Sequence, residues 1–274
     1  MKKHYLITGG NGYIGQNMYW KNWASDISVD FTICDKHTPL PQAQDLTEAH
    51  LEGFDGVIHL AALSGIFACE EGPAFACIDN IMTAGNVFKI ATKLGIPVVF
   101  TSSQAAKDPK SSVYAQMKWT CENIANYYNT YGGKNYVVRL ANVYGGDSYL
   151  KKKKTCVKQF ITQYSIKEPF KIHGDGQQKR DFVHCHDVCE AIYRIIAEQP
   201  DYEPYTDPID IGTGKGTTIL ELRNMFPSHP CEFVSTRNAG AESSVADTST
   251  LEKLTGFKPE RKLEDYIKEM SNGS

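Results

Sequence analysis

At 274 residues the chain can bury a substantial core, either as one large domain or as a domain with a smaller lobe. A 41% hydrophobic and 22% charged composition with net charge -3 describes a globular protein and argues against a broad basic surface for nucleic acid. No stretch reaches the roughly 20 apolar residues that span a bilayer, and the eight cysteines are scattered through a chain too large to need disulfide staples. Met1-Lys2-Lys3 runs directly into apolar residues with no secretory pattern, so a reduced, cytoplasmic setting is expected. In chain order, His4 to Thr8 is predicted as a short buried strand, and Gly9 to Gly15 as a tight turn entering a helix. Phe31 to Cys34, Gly56 to Ala61, Ile96 to Phe100 and Tyr136 to Leu140 are predicted strands. Helical spacing over Asn80 to Leu94 and Tyr114 to Tyr131 places helices between them. Beyond Gly145 the rhythm loosens. Val157 to Tyr164 reads as a helix, Pro169 to Arg180 as a strand with a glycine-rich turn, and Asp187 to Glu198 as an amphipathic helix. Pro208 to Gly212 is a late strand, followed by short helices over Thr218 to Met225, Thr248 to Thr255 and Leu263 to Met270. Strands alternating with helices predict a doubly wound, Rossmann-type α/β fold with a mostly parallel sheet. Residues 1–145 are expected to form its core. Residues 146–274 are expected to form mainly a small lobe, with about 181–212 returning to the core.

The opening turn has a specific chemistry. Gly9, Gly12 and Gly15 follow a strand and start a helix, the context in which glycines allow a tight turn and close approach of backbone to pyrophosphate. The free N–H groups and dipole of the helix start favour anions there. Asp35, twenty residues after Gly15 at a strand end, can accept ribose hydroxyls and would repel a 2′-phosphate. That favours NAD over NADP, with Lys36 and His37 weakening the preference. Asp45-Leu46, in the following loop, is a candidate contact for the adenine.

A second constellation supplies reactivity. Tyr114 and Lys118, four apart on a helix, share a face. A free phenol, with pKa near 10, is a poor base at neutral pH, and a neighbouring ammonium favours its phenolate. Tyr114 could then accept a hydroxyl proton while Ser103 orients the same hydroxyl for hydride transfer. Lys118 can also reach the nicotinamide ribose. Alone, such a pair also describes a half-buried aromatic with a lysine reaching to solvent.

Together these segments resemble the extended short-chain dehydrogenase/reductase family, and particularly its UDP-sugar 4-epimerases. Thr8 to Gly15, with Tyr13 and Ile14 after the glycines, is similar to the family's cofactor opening, and Tyr114-Ala115-Gln116-Met117-Lys118 to its tyrosine-lysine motif. Thr101-Ser102-Ser103 resembles its serine-rich triplet, and His59-Leu60-Ala61-Ala62 the segment beneath the nicotinamide. Asn80 falls on an asparagine that helps set the active-site helix. Arg139 to Gly145 is similar to a segment that closes over substrate, with Asn142 at a contacting position. Gly174 to His184 carries Arg180, and Arg237-Asn238-Ala239-Gly240 carries Arg237, both at positions that reach a diphosphate. A guanidinium fork suits phosphate oxygens independently of the resemblance. Leu254 to Pro259 resembles the family's terminal signature.

The resemblance implies NAD as cofactor, a nucleotide diphosphate sugar as substrate, a homodimer, and a role in polysaccharide precursors. It implies 4-epimerisation through a 4-keto sugar. Gln104-Ala105-Ala106 follows Ser103 where the family's dehydratases carry Asp-Glu and its decarboxylases Glu. Only eleven positions separate Ser103 from Tyr114, shorter than in typical epimerases, which leaves a net sugar or sugar-acid dehydrogenase open. A non-catalytic NAD-sensing protein would need no Ser103, Tyr114 and Lys118 together. Lys151 to Lys154 read as a solvated run or an anion contact. His184, Cys185, His186 and Cys189 fit a strand-to-helix junction better than a metal site, so no metal is expected.

Overall fold

The computed structural model describes residues 2–20, 23, 28–146, 155–198, 207–235 and 243–272. Its strands are β1 (Lys3–Thr8), β2 (Val29–Cys34), β3 (Gly56–His59), β4 (Val98–Ser103), β5 (Asn135–Leu140), β6 (Asn142–Tyr144), β7 (Phe170–His173), β8 (Lys179–His184), β9 (Ile209–Ile211), β10 (Gly216–Thr218), β11 (Cys231–Val234) and β12 (Ser243–Ser244). The helices are α1 (Tyr13–Trp20), α2 (Glu48–Leu51), α3 (Ile66–Glu71), α4 (Pro73–Cys77), α5 (Thr83–Leu94), α6 (Val113–Asn129), α7 (Cys156–Ser165), α8 (Cys185–Glu198), α9 (Ile219–Asn224), α10 (Ser249–Thr255) and α11 (Leu263–Asn272).

Alternation along the strands builds two cores on one sheet. Tyr5, Ile7, Ile58, Val99 and Val138 point to the face covered by α1, α8 and α10. Leu6, Val57, Val98, Phe100 and Val137, their neighbours in sequence, point to the face covered by α5 and α6. Burial on both faces is why these strands read as continuous apolar runs. The sheet is parallel throughout, in the order β2-β1-β3-β4-β5-β9, the Rossmann-type arrangement expected from the alternation. Late in the chain, β9 returns to the edge of this sheet and α8 packs on α1.

The other carboxy-terminal elements build smaller sheets. β8 pairs with β6, β10 and β12, and β7 pairs with β11. A third apolar cluster, including Tyr144, Phe160, Phe170, Phe182 and Phe226, lies among them. Asp181 on β8 ties these elements to the main sheet. Its carboxylate is fully buried and accepts N–H bonds from Thr213 and Gly214, just past β9, and a hydroxyl bond from Thr213 at 2.6 Å. Several directed donors offset the cost of burying that charge.

Some boundaries differ from expectation. The helix predicted from Asn80 begins as a wide π turn, Ile78–Met82, before the regular α5. Asn80 is thereby buried, and Thr83 caps the turn by bonding the Asp79 carbonyl at 2.7 Å. β3 stops at His59, two residues before the predicted end, because the chain turns away beside Gly9. Short elements such as α3, β6 and β12 are too brief to display a period. Among the described residues no helix is long and apolar enough to cross a membrane.

Candidate functional site

At the end of β1 the chain must turn sharply while another backbone passes against it. Gly9 adopts φ +68°, and a Cβ there would lie 2.7 Å from Cα of Ala61. Only glycine satisfies both demands without displacement. Gly15 meets the same restriction one turn into α1, where a Cβ would approach Gly10 Cα at 2.6 Å. Asp35, directly beyond β2, faces this turn, accepting the Asn11 N–H at 2.9 Å and the Lys36 N–H at 2.7 Å.

A cavity of about 580 Å³ runs from this turn across the carboxyl ends of the strands. One end is lined by Gly9, Gly12, Tyr13, Ile14, Gly15 and Asp35. Leu60, Ala61 and Ala62 line it too, as do Ser103, Tyr114 and Lys118. Asn142, Thr155, Cys156 and Phe182 also line it. Thirteen of the residues singled out in the sequence therefore share one cavity.

Others fall elsewhere. Asp45 is exposed and Leu46 is packed in the core; Gln42, Ala43 and Gln44 line the cavity instead. The 3-10 turn Ala43–Asp45 turns this segment over, and Asn86 pins it by donating to the Ala43 and Leu46 carbonyls. Asn80 sits behind the wall. Its Nδ2 donates to the Leu63 carbonyl at 3.2 Å and contacts Met117 Sδ on α6 at 3.9 Å, while its Oδ1 has no partner among the described residues. Arg180 does not line the cavity; it donates to the Lys179 carbonyl and lies near Cys156, which does. Burial pushes the Cys156 thiol up to about 11, with Arg180 pulling the other way. Arg237 and Lys151 to Lys154 lie outside the described residues. Lys36 and Asp79, both lining the cavity, approach to 4.0 Å, a pairing across segments that sequence spacing did not suggest.

Around the reacting groups, α6 and β4 meet side by side. Ser112 caps α6 by accepting the Ala115 N–H at 3.1 Å, and Glu70 on α3 accepts the Val113 N–H at 3.0 Å. Together they satisfy donors in the turn that carries Tyr114. Tyr114 is partly buried, with the Ser103 hydroxyl acting on its phenol. Lys118 is 4% exposed, donates to the Thr101 carbonyl at 2.7 Å and lies 4.8 Å from the Phe100 ring centre. The expected lowering of the phenol by Lys118 is absent. Burial instead pushes Tyr114 up to about 12, against the Ser103 hydrogen bond, which lowers it. His59, stacked on Phe100 and bonded through Nδ1 to the Thr8 hydroxyl at 2.6 Å, is held neutral near 3 by burial and by Lys118.

The eleven-position step from Ser103 to Tyr114 is taken up by a 3-10 turn, Gln104–Lys107. Lys107 fastens it to Asp210 on β9 at 2.6 Å. Gln104, Ala105 and Ala106 place no carboxylate next to Ser103.

A family model described as the NAD dependent epimerase/dehydratase family matches residues 5–207. A Methanocaldococcus jannaschii protein described as a putative UDP-glucose 4-epimerase is 28% identical, across 97% of each chain. UDP-glucuronic acid decarboxylase 1 of Arabidopsis thaliana is 23% identical, across 97% of this chain and 68% of its own. Among solved structures, a UDP-N-acetylglucosamine 4-epimerase from Methanobrevibacter ruminantium M1, in complex with UDP-N-acetylmuramic acid, matches with a TM-score of 0.83 at 25% identity. That match covers 99% of this chain and 98% of the other.

Proposed function

Because the chain belongs to the NAD dependent epimerase/dehydratase family, we propose that it epimerises a nucleotide diphosphate sugar, at C4 and through a transient 4-keto sugar. The observation that carries this reading is one cavity joining the glycine turn and Asp35 to Ser103, Tyr114 and Lys118. The glycine turn opening α1 and the backbone-fixed Asp35 carboxylate suit the pyrophosphate and a ribose of NAD, with Leu60, Ala61 and Ala62 lining the same cavity. When bound, NAD supplies a positively charged hydride acceptor that can also return the hydride.

In this proposal the chain's own groups do the rest. Ser103 holds the sugar hydroxyl, and Tyr114 takes its proton and later gives it back. A phenol held near 12 is protonated in the protein alone, so it is ready as the acid; it becomes a base only when positive charge is added next to it. Lys118, anchored on the Thr101 carbonyl, supplies part of that charge and a donor toward a ribose. Asn142, Arg180 and Arg237 are assigned to the substrate, with residues after 145 forming most of its side of the site. The lack of a carboxylate after Ser103 favours epimerisation over water elimination. Two copies pairing through α5 and α6, on the latter of which Trp119 is 41% and Tyr127 57% exposed, complete the proposal.

The short segment before Tyr114 favours one second reading, a net sugar or sugar-acid dehydrogenase with a more open pocket. Purified protein is assayed for bound NAD and incubated with UDP-glucose, UDP-galactose, UDP-N-acetylglucosamine and UDP-glucuronate. Isomer formation without accumulated NADH supports the epimerase. Stoichiometric NADH supports the dehydrogenase, and no turnover of any sugar overturns both.

A further inference from the structure

Three consecutive residues of β4 each meet a different turn of α6. Thr101 accepts from Lys118 through its carbonyl at 2.7 Å, the Ser103 hydroxyl acts on the Tyr114 phenol, and between them the Ser102 hydroxyl donates to Glu122 Oε1 at 2.5 Å. Tyr114, Lys118 and Glu122 are spaced by four, so all three lie along one face of the helix. The Glu122 contact is the most extensive. Arg139 on β5 donates from Nε to Oε1 at 2.9 Å and from Nη2 to Oε2 at 2.6 Å. Sheet register places Ser102 directly beside Arg139, so one carboxylate grips both strands at once. Its side chain is 5% exposed and that of Arg139 17%.

A buried ion pair is poor at adding net stability but good at fixing a unique geometry. Here geometry needs fixing. The fully buried apolar residues of α6 are Ala115, Met117, Cys121 and Ala125, small or flexible side chains, with Ile124 and Tyr128 partly buried beside them. A slip of one residue would rotate the helix by about 100° and turn Tyr114 and Lys118 away from Ser103. A bidentate fork about 12 Å along the helix from Tyr114 opposes both sliding and rotation. We infer that Glu122, gripped by Arg139 and Ser102, is a positioning residue that holds Tyr114 and Lys118 in register with Ser103. This rests on the proposed roles of those three residues, not on which sugar product forms.

The test compares Glu122→Gln and Ser102→Ala with the unmodified protein and with Tyr114→Phe. Reduction of bound NAD by nucleotide sugars is followed at 340 nm in single turnovers, a step common to epimerase and dehydrogenase. Glu122→Gln is expected to slow it at least tenfold, with the sugar-nucleotide KM within about twofold, and Ser102→Ala to slow it several-fold. Adding Glu122→Gln to Tyr114→Phe should cost little more, because a lost register matters only while the phenol is present. Amide hydrogen exchange supplies a readout independent of turnover: residues 113–118 should exchange faster in both variants while residues 3–15 stay unchanged. A folded Glu122→Gln protein with an unchanged hydride-transfer rate overturns the inference, as does a loss fully additive with Tyr114→Phe or exchange raised uniformly across the chain. Should Glu122→Gln fail to fold, Ser102→Ala decides by the same criteria. If the unmodified protein reduces no bound NAD with any sugar, the functional reading fails, and the exchange pattern alone decides the positioning role.

Discussion

Replacing Tyr114 with Phe removes one oxygen from the centre of the cavity, and two separate consequences can be worked from its surroundings. For turnover, loss of a positioned acid-base group costs roughly 10²- to 10⁴-fold in rate, while bound NAD should be retained because the glycine turn and Asp35 are untouched. For stability, the sign depends on pH. At pH 7 the variant forfeits the hydrogen bond to Ser103, worth about 1 kcal/mol. The phenol has a folded value of about 12 against an unfolded value near 10. A raised value of this kind contributes stability that is fully present below pH 10 and is lost as pH climbs through 12. At pH 11 the unmodified protein has surrendered about 1.4 kcal/mol by this route, whereas Phe has no proton to lose. The two stability curves should therefore cross between about pH 10 and 11. Urea unfolding monitored by circular dichroism at pH 7, 10 and 11 measures the difference directly. A variant that remains less stable than the parent through pH 11 refutes burial as the dominant influence on Tyr114. Turnover within tenfold of the parent refutes its role as the proton carrier.

Gly9→Ala should impose about 1–2 kcal/mol of backbone strain from the left-handed φ, and also force Ala61 away from a Cβ at 2.7 Å. NAD affinity, measured by fluorescence titration, should fall at least tenfold; an unchanged affinity would show that the turn can relax. Tyr5→Phe tests a different buried phenol, fully buried with no partner for its hydroxyl among the described residues and pushed up to about 12 by burial. The variant should match or exceed the parent by up to about 1 kcal/mol at pH 7, and gain about another 1.4 kcal/mol by pH 11, in the same unfolding assay. A loss of stability at neutral pH would mean the hydroxyl is satisfied after all.

Much of the architecture was legible because the signals were local. Leu6 and Ile7, adjacent in sequence, go to opposite cores, so an uninterrupted apolar run already announces a strand buried on both faces. The glycine turn was legible for a similar reason, since Gly9 and Gly15 are required by backbone geometry at the residue itself or one turn away. Tyr114 and Lys118 share a face by helix periodicity alone. By contrast, Gln42 to Gln44 line the cavity where Asp45 and Leu46 do not, because a 3-10 turn sets which residues face inward, and Asn86, forty positions or more away, holds it there. Asn80 fell behind the wall because a π turn carries an extra residue that helical spacing does not reveal.

The sequence by itself therefore determined the parallel sheet, the glycine turn with Asp35 at the next strand end, and a tyrosine and lysine on one side of a helix. Each follows from periods of two or about four residues, or from the allowed dihedrals of glycine. Only the tertiary structure decided that Lys118 anchors on Thr101, that burial dominates at Tyr114, and that Glu122 joins α6 to Ser102 and Arg139. Those outcomes depend on how much water is excluded and on partners 17 to 20 positions apart, and distances of that kind exist only once the sheet and helix have packed.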